Sequence, residues 1–191
     1  MALSVGCVLL ASGFGRRFGG NKLLAPAQGV PLVQRAMELY QGLPFARRVL
    51  VSQYPDILAM AVDHGFSPIA NQEAAQGISA SVRLGAGAMA GLDGALFAVC
   101  DQPWLTAGSV ERLLAAFRAR PGAICALSSG GHRGNPALFP KDLFPALAAL
   151  HGDTGGGQVI RRCPERLLLV EADHPQELDD IDHPEDLRAT L

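Results

Sequence analysis

Val8-Leu9-Leu10-Ala11-Ser12-Gly13-Phe14-Gly15-Arg16-Arg17-Phe18-Gly19-Gly20-Asn21-Lys22 is the stretch from which the rest of the chain can be read. The apolar run from Val5 to Ala11 reads as a buried strand, and Gly13, Gly15, Gly19 and Gly20 then break it. Glycine lets a backbone turn with positive φ and approach a ligand closely. Successive N–H groups in such a loop form a concavity that attracts anions. Arg16, Arg17 and Lys22 place three cations in or beside it. A glycine loop with fixed cations after a first strand predicts a site for a nucleoside triphosphate. At this point a plain glycine-rich turn with solvated arginines remains the alternative.

Two familiar glycine motifs do not fit. A Walker loop needs Gly-Lys-Ser/Thr, whereas Gly20-Asn21-Lys22-Leu23 offers no hydroxyl for a metal. The dinucleotide pattern needs a third glycine where Phe18 stands, with an acidic residue about 20 positions further on. Glu38 instead falls inside a helical pattern.

Composition narrows the function classes. Of 191 residues 49% are apolar and 18% charged, which predicts one globular domain over residues 1–191 rather than a disordered chain. A net charge of −2 lacks the basic excess of nucleic-acid and membrane-surface binders. No apolar run approaches the ~20 residues that span a bilayer. Met1-Ala2-Leu3-Ser4 has no basic region before the first strand, so no secretory leader is expected and the cytoplasm is the default. Cys7, Cys100, Cys125 and Cys163 form no Cys-x-x-Cys pair, and the first three fall in apolar strand patterns as buried free thiols, so no zinc site or disulfide framework is expected.

Short apolar runs alternate with helical patterns throughout, the signature of βαβ units around a parallel sheet. Pro31 opens a helix with Leu32, Ala36, Leu39 and Tyr40 at three- and four-residue steps, and Gly42 closes it. Val49-Leu50-Val51 reads as a second strand. Pro55 to Asp63 reads as a short helix with Leu58 and Val62 on one face, and Ser67 to Asn71 as an edge strand. Gln76-Gly77-Ile78-Ser79-Ala80-Ser81 leads into a small-residue helix, its serines suited to capping or to contact with a base or ribose. Gly94 to Cys100 is a buried strand ending in Asp101-Gln102-Pro103. Ligands in open α/β sheets bind outside the carboxyl ends of the strands. Asp101 is therefore placed either to hold a metal or to cap the turn before Pro103, and a triphosphate nearby favours the metal. Thr106 caps a helix through Val110, Leu113, Leu114 and Phe117, followed by a strand from Ala123 to Leu127. Ser128 to Asn135 reads as a polar loop feeding Pro136-Ala137-Leu138-Phe139. A helix from Leu143 to Leu150, a strand from Leu167 to Val170 and a last helix opened by Pro184 complete the chain.

Taken together these residues resemble the MobA-like nucleotidyltransferase family. The resemblance is carried by Leu10-Ala11-Ser12-Gly13-x-Gly15-x-Arg17-Phe18-Gly19-Gly20-x-Lys22, Gly77-Ile78-Ser79-x-Ser81, Cys100-Asp101-Gln102-Pro103, Arg133-Gly134-Asn135-Pro136-Ala137-Leu138-Phe139, Gly152-Asp153 and Asp180-Ile181-Asp182-x-Pro184-Glu185-Asp186-Leu187, in family order over residues 8 to 187. The Asp-Gln-Pro form resembles the cytidylyl branch more than the guanylyl branch. The resemblance implies an α/β, Rossmann-like nucleotidyltransferase (GT-A type) fold with a mostly parallel central sheet flanked by helices. It implies transfer of CMP from the co-substrate CTP to the terminal phosphate of Mo-molybdopterin, with release of pyrophosphate and magnesium (or manganese) as cofactor. Small-molecule substrates and a recipient molybdoenzyme are the implied partners, with no nucleic acid and no membrane.

Carried over residue by residue, Leu10, Ala11, Gly13, Gly15, Arg17 and Lys22 would bind the nucleotide, with Ser79 and Ser81 towards base and ribose. Arg17, Lys22 and Asp101 would be catalytic, Asp101 and Asp182 would hold the metal, and Asn135, Pro136 and Asp153 would face the acceptor. The chain departs from the family at Ser12, where alanine or glycine is usual, and at Phe14, where a polar or basic residue is common. Gly155-Gly156-Gly157 stands where Gly-Ala-Arg is frequent, a change to which His132-Arg133 offers compensation. A guanylyl or sugar-phosphate transferase, an oxidoreductase and a cofactor-delivering chaperone on the same scaffold are the competing expectations.

Overall fold

The apolar runs assemble into one seven-stranded sheet in a computed structural model that describes residues 3–187. Its strands are β1 (Val5–Leu10), β4 (Arg47–Ser52), β5 (Ser67–Ala70), β6 (Gly94–Val99), β7 (Ile124–Ser129), β8 (His132–Pro140) and β9 (Leu167–Glu171), in the order β5-β4-β1-β6-β8-β7-β9. β2 (Pro26–Ala27) and β3 (Val30–Pro31) form a small separate ribbon. β5, β4, β1 and β6 run parallel, as do β7 and β9. β8 alone is antiparallel to both of its neighbours.

The side-chain period of two sorts each strand between two cores. On one face Cys7, Leu9 and Leu50 meet α1 (Leu32–Gln41), α2 (Pro55–Asp63) and α4 (Ala107–Ala119) through Met37, Ile57 and Leu113. On the other, Val8, Val49 and Phe97 meet α3 (Ile78–Ala88), α5 (Phe144–Ala148) and α6 (Gly157–Arg162) through Val82, Leu147 and Ile160. A leucine as completely buried as Leu9 or Leu50 contributes roughly 2 kcal/mol of transfer free energy. Helices on both faces of a mostly parallel sheet constitute the expected Rossmann-like architecture. No helix among the described residues is long and apolar enough to cross a membrane.

Two local expectations change, and a third is refined. In α2 Leu58 and Val62 share a face, but Ile57 and Ala61 are the residues turned fully inward and Val62 is left 60% exposed. Its middle is apolar on every side, so four-residue spacing fits both rows and packing chooses between them. Residues 128–135 are not a loop but the end of β7, a turn at Gly130-Gly131 and the start of β8. Both turn glycines have positive φ (56° and 79°), the conformation of a tight two-residue hairpin. Pro184 to Leu187 forms a turn, and the remainder of the helix expected there lies outside the described residues, as do Met1 and Ala2.

Candidate active site

A cleft of about 730 Å³ opens where β1 and β6 end, between the glycine loop and the segment leading into α3. The loop is more closed than its glycines suggest. The Gly15 carbonyl accepts from the N–H groups of Phe18 (3.0 Å), Gly19 (3.1 Å) and Gly20 (3.4 Å). Those three donors are therefore spent internally, which leaves the backbone before Phe18 to face an anion. Gly15 has φ +58°, and a Cβ there would collide with the Gly20 carbonyl, so the turn requires glycine. The root of the loop is fixed from the β4–α2 connection: Tyr54 donates its hydroxyl to the Gly13 carbonyl (2.9 Å) and Gln53 its amide to the Ser12 carbonyl (2.6 Å).

Beneath the loop lies a charged cluster. Lys22 Nζ stands 2.7 Å from Asp101 Oδ2 and 3.2 Å from Asp182 Oδ1, and donates to the Ile181 carbonyl at 2.8 Å. Arg17 Nη1 pairs with Asp182 Oδ2 at 2.6 Å, on the exposed rim. Burial works against the Lys22 charge, but Asp101 and Asp182 outweigh it and raise the ammonium above its ordinary value. The hydrogen bond from Lys22 holds Asp182 below the usual carboxylate range. Asp180 is pushed up to about 6, first by desolvation and then by the Asp101 charge, although the residue keeps access to solvent.

Asp101 and Asp182, 81 positions apart in sequence, are sewn together by the strap that carries Asp182. The Ile181 N–H donates to the Asp101 carbonyl (2.9 Å) and the Gln102 amide to the Leu178 carbonyl (3.2 Å). Buried Glu177 accepts from the Thr106 N–H (3.0 Å), the Thr106 hydroxyl (2.8 Å) and the His174 N–H (2.9 Å). Burial raises its pKa, yet the donors from Ser109, Thr106 and His174 together hold it below the ordinary glutamate value. Thr106 also caps α4, as expected, by accepting from the Ser109 N–H.

Asn71, at the end of β5, is a residue that the sequence reading passed over. It is 3% exposed, and its Nδ2 donates to the hydroxyls of Ser12 (3.2 Å) and Ser81 (3.0 Å). Its Oδ1 accepts the Glu73 N–H (3.0 Å), which fixes the orientation of the amide. One side chain thus ties the root of the glycine loop to the first turns of α3. A polar residue just past a strand end was the available signal.

The expected site residues divide between two places. Leu10, Gly13, Gly15, Arg17, Lys22, Ser81, Asp101, Asp153 and Asp182 all line the large cleft. Ala11 is buried and bonds through its N–H to the Val51 carbonyl (2.8 Å). Ser79 is fully buried, accepting from Arg83 (3.2 Å), and does not line the cleft; the cap of α3 is Gly77, without a side-chain bond. Asn135 belongs to a second cavity of about 210 Å³, which shares Leu10, Ile78 and Val99 with the first. Pro136 is buried behind it, after a cis peptide bond.

For a divalent cation the decisive atom is Asp101 Oδ1, which is buried and has no hydrogen-bond partner among the described residues. An anionic oxygen left without a donor suits a hard cation. No group of three or more His, Cys, Asp or Glu that could cage a metal occurs among the described residues. Magnesium is commonly held by one or two carboxylates plus substrate phosphates, which matches Asp101 and Asp182.

Comparison with known proteins places this geometry. The model of the MobA-like NTP transferase domain matches residues 7–170. The chain belongs to the MobA-like NTP transferase family. It is 30% identical over 195 residues to nicotine blue oxidoreductase of Paenarthrobacter nicotinovorans, covering 96% of this chain and 95% of that protein. It is 32% identical over 145 residues to molybdenum cofactor guanylyltransferase of Rhodobacter capsulatus, covering 75% of this chain and 72% of that one. Among solved structures, a nucleotidyl transferase from Methanothermobacter superposes with a TM-score of 0.81 at 22% identity, covering 97% of this chain and 95% of its own.

Proposed function

We propose that this family member, as a single domain over residues 1–191, transfers CMP from CTP to the terminal phosphate of Mo-molybdopterin and releases pyrophosphate. The observation that carries the reading is the Lys22 ammonium shared by Asp101 and Asp182 beneath the glycine loop. Phosphate attacking a triphosphate is opposed by charge repulsion, so the protein must position both groups in line and neutralise them. Lys22 supplies a fixed point charge at the cleft floor. Arg17, on the rim, offers a planar fork for two phosphate oxygens. Asp101 and Asp182 keep these cations aimed at the cleft before substrate arrives. Magnesium (or manganese) held by Asp101 and Asp182 would neutralise further charge on the triphosphate. The nucleophile is already ionised, so no protein general base is required.

CTP is favoured over GTP by the Cys100-Asp101-Gln102-Pro103 form, and Mo-molybdopterin by the likeness to molybdenum cofactor guanylyltransferase. A recipient molybdoenzyme follows as the downstream partner. The second reading, an oxidoreductase on the same scaffold, rests on the likeness to nicotine blue oxidoreductase over 96% of this chain. Incubation with Mo-molybdopterin, magnesium and each labelled nucleotide separates them. The expected result is incorporation of CMP with one pyrophosphate per product. Equal use of CTP and GTP removes the base preference, and NADPH oxidation without nucleotide transfer replaces the proposal with the second reading.

A further inference from the structure

The second cavity is built unlike the first. Its walls are mostly apolar, from Val82, Phe97, Ala137, Phe139 and Ile160, with Asn135 beside them, and one cation, Arg133, reaches it from the start of β8. Arg83, Arg112 and Arg166 each pair with a carboxylate, whereas Arg133 enters no ion pair among the described residues. The glycines at the start of α6 make room for it. A Cβ on Gly157 would lie 3.2 Å from Arg133 Nη2, and one on Gly156 would strike the Phe139 ring at 2.7 Å. The cavity adjoins the donor cleft across Leu10, Ile78 and Val99. An accessible guanidinium at the edge of an apolar hollow, next to a cleft with its own cations, suits an anion joined to an apolar body.

We propose that Arg133 binds the attacking phosphate monoester of the acceptor, leaving Arg17 and Lys22 to the donor's triphosphate. The inference rests on the nucleotidyl-transfer reading and gives each anionic partner its own cation. An acceptor phosphate oxygen forms a bond to the α-phosphorus. The bond from that phosphorus to the oxygen bridging to the β-phosphate breaks, and its electron pair leaves with pyrophosphate. No proton is transferred. Arg133 touches the attacking phosphate and so acts as a catalytic residue.

The test uses the full chain with magnesium, a CTP analogue carrying a methylene between the α- and β-phosphates, and phenyl phosphate as probe, with phenol as the uncharged control. Calorimetry should show phenyl phosphate binding to the loaded protein and phenol not binding. Arg133→Gln should weaken phenyl phosphate about tenfold or more, while the affinity for the CTP analogue and the melting temperature stay unchanged. Arg17→Ala should do the reverse. Arg133→Lys should recover part of the loss, because the charge remains and the fork is gone. Gly157→Ala, which crowds the guanidinium, should cost roughly threefold. Phenyl phosphate binding wild type no better than Arg133→Gln, including no binding at all, overturns the assignment. If Mo-molybdopterin accepts no nucleotidyl group, the proposed activity falls, while the phenyl phosphate result still decides the role of Arg133.

Discussion

The two compartments that meet at Leu10, Ile78 and Val99 solve opposite problems. In the larger one the cations are already committed: Lys22 to two carboxylates and a carbonyl, Arg17 to Asp182. In the smaller one the walls are mostly hydrocarbon and glycine beside Asn135, and Arg133 enters no ion pair among the described residues. A triphosphate is the same object in every reaction, so a site for it can be fixed in advance by charge. An acceptor is recognised by its shape, and a bare apolar wall with one accessible cation leaves shape to decide. Preorganisation of charge therefore marks the compartment proposed for the donor, and open surface the one proposed for the acceptor.

The sharpest way to break that contrast is at Asp101. Asp101→Ala should lower pyrophosphate release by about 100- to 1,000-fold, while the melting temperature falls only slightly, because Oδ1 is unpartnered and Lys22, losing Oδ2, keeps Asp182 and the Ile181 carbonyl. Undiminished turnover would mean that the donor side does not depend on its carboxylates. Asn71→Ala should be the most costly change in stability. It strips partners from Ser12, Ser81 and the Glu73 N–H at once, about 3 kcal/mol in chemical denaturation, and should raise the nucleotide KM more than the acceptor KM. An equal rise in both would show that loop and helix position the whole cleft rather than the donor.

Glu177 tests the strap. Its folded pKa lies below the unfolded value, so its stabilising contribution is full above the unfolded pKa and is lost as pH falls through the depressed folded value. Glu177→Gln should cost about 2 kcal/mol at neutral pH and flatten the fall in stability on the acid side of ordinary glutamate titration. A Glu177→Gln variant with wild-type acid dependence would remove the carboxylate from the strap's account. The smallest effect is expected at Phe14, which is 44% exposed on the cleft rim with the Arg16 guanidinium 5.6 Å from its ring centre. Phe14→Ala should change CTP affinity by less than about fivefold, the scale of an exposed cation–π contact. A larger loss would place recognition on the rim as well as the floor.

Much of the lining of the larger cleft was legible because it is local. Glycines, Arg17 and Lys22 occupy one short run, and Asp101 ends a strand that apolar composition alone marks out. What escaped was held by contacts between distant segments. Nothing near Asn71 says that it bridges Ser12 and Ser81, since the partners lie 59 and 10 positions away. The closure of Phe18, Gly19 and Gly20 on the Gly15 carbonyl is likewise a property of the folded turn. The hairpin was misread as a loop because polar residues and paired glycines look alike in both, and only pairing across Gly130-Gly131 distinguishes them. The smaller cavity is harder still. Its information is in missing side chains, and the triglycine acquires meaning only when Phe139 and Arg133 are seen against it.

β8 runs against its neighbours, so residues at its beginning, Arg133 to Asn135, arrive at the same end of the sheet as the carboxyl ends of β1 and β6. The turn before it projects from that end, is exposed, and is held from β9 by Glu171, which accepts from the Ser128 hydroxyl and the Gly130 N–H. An engineer who wished to give this scaffold a new acceptor would therefore leave the glycine loop alone. Lengthening the link between Gly130 and Gly131 would lay fresh surface along the acceptor compartment, through a segment that the two cores do not need.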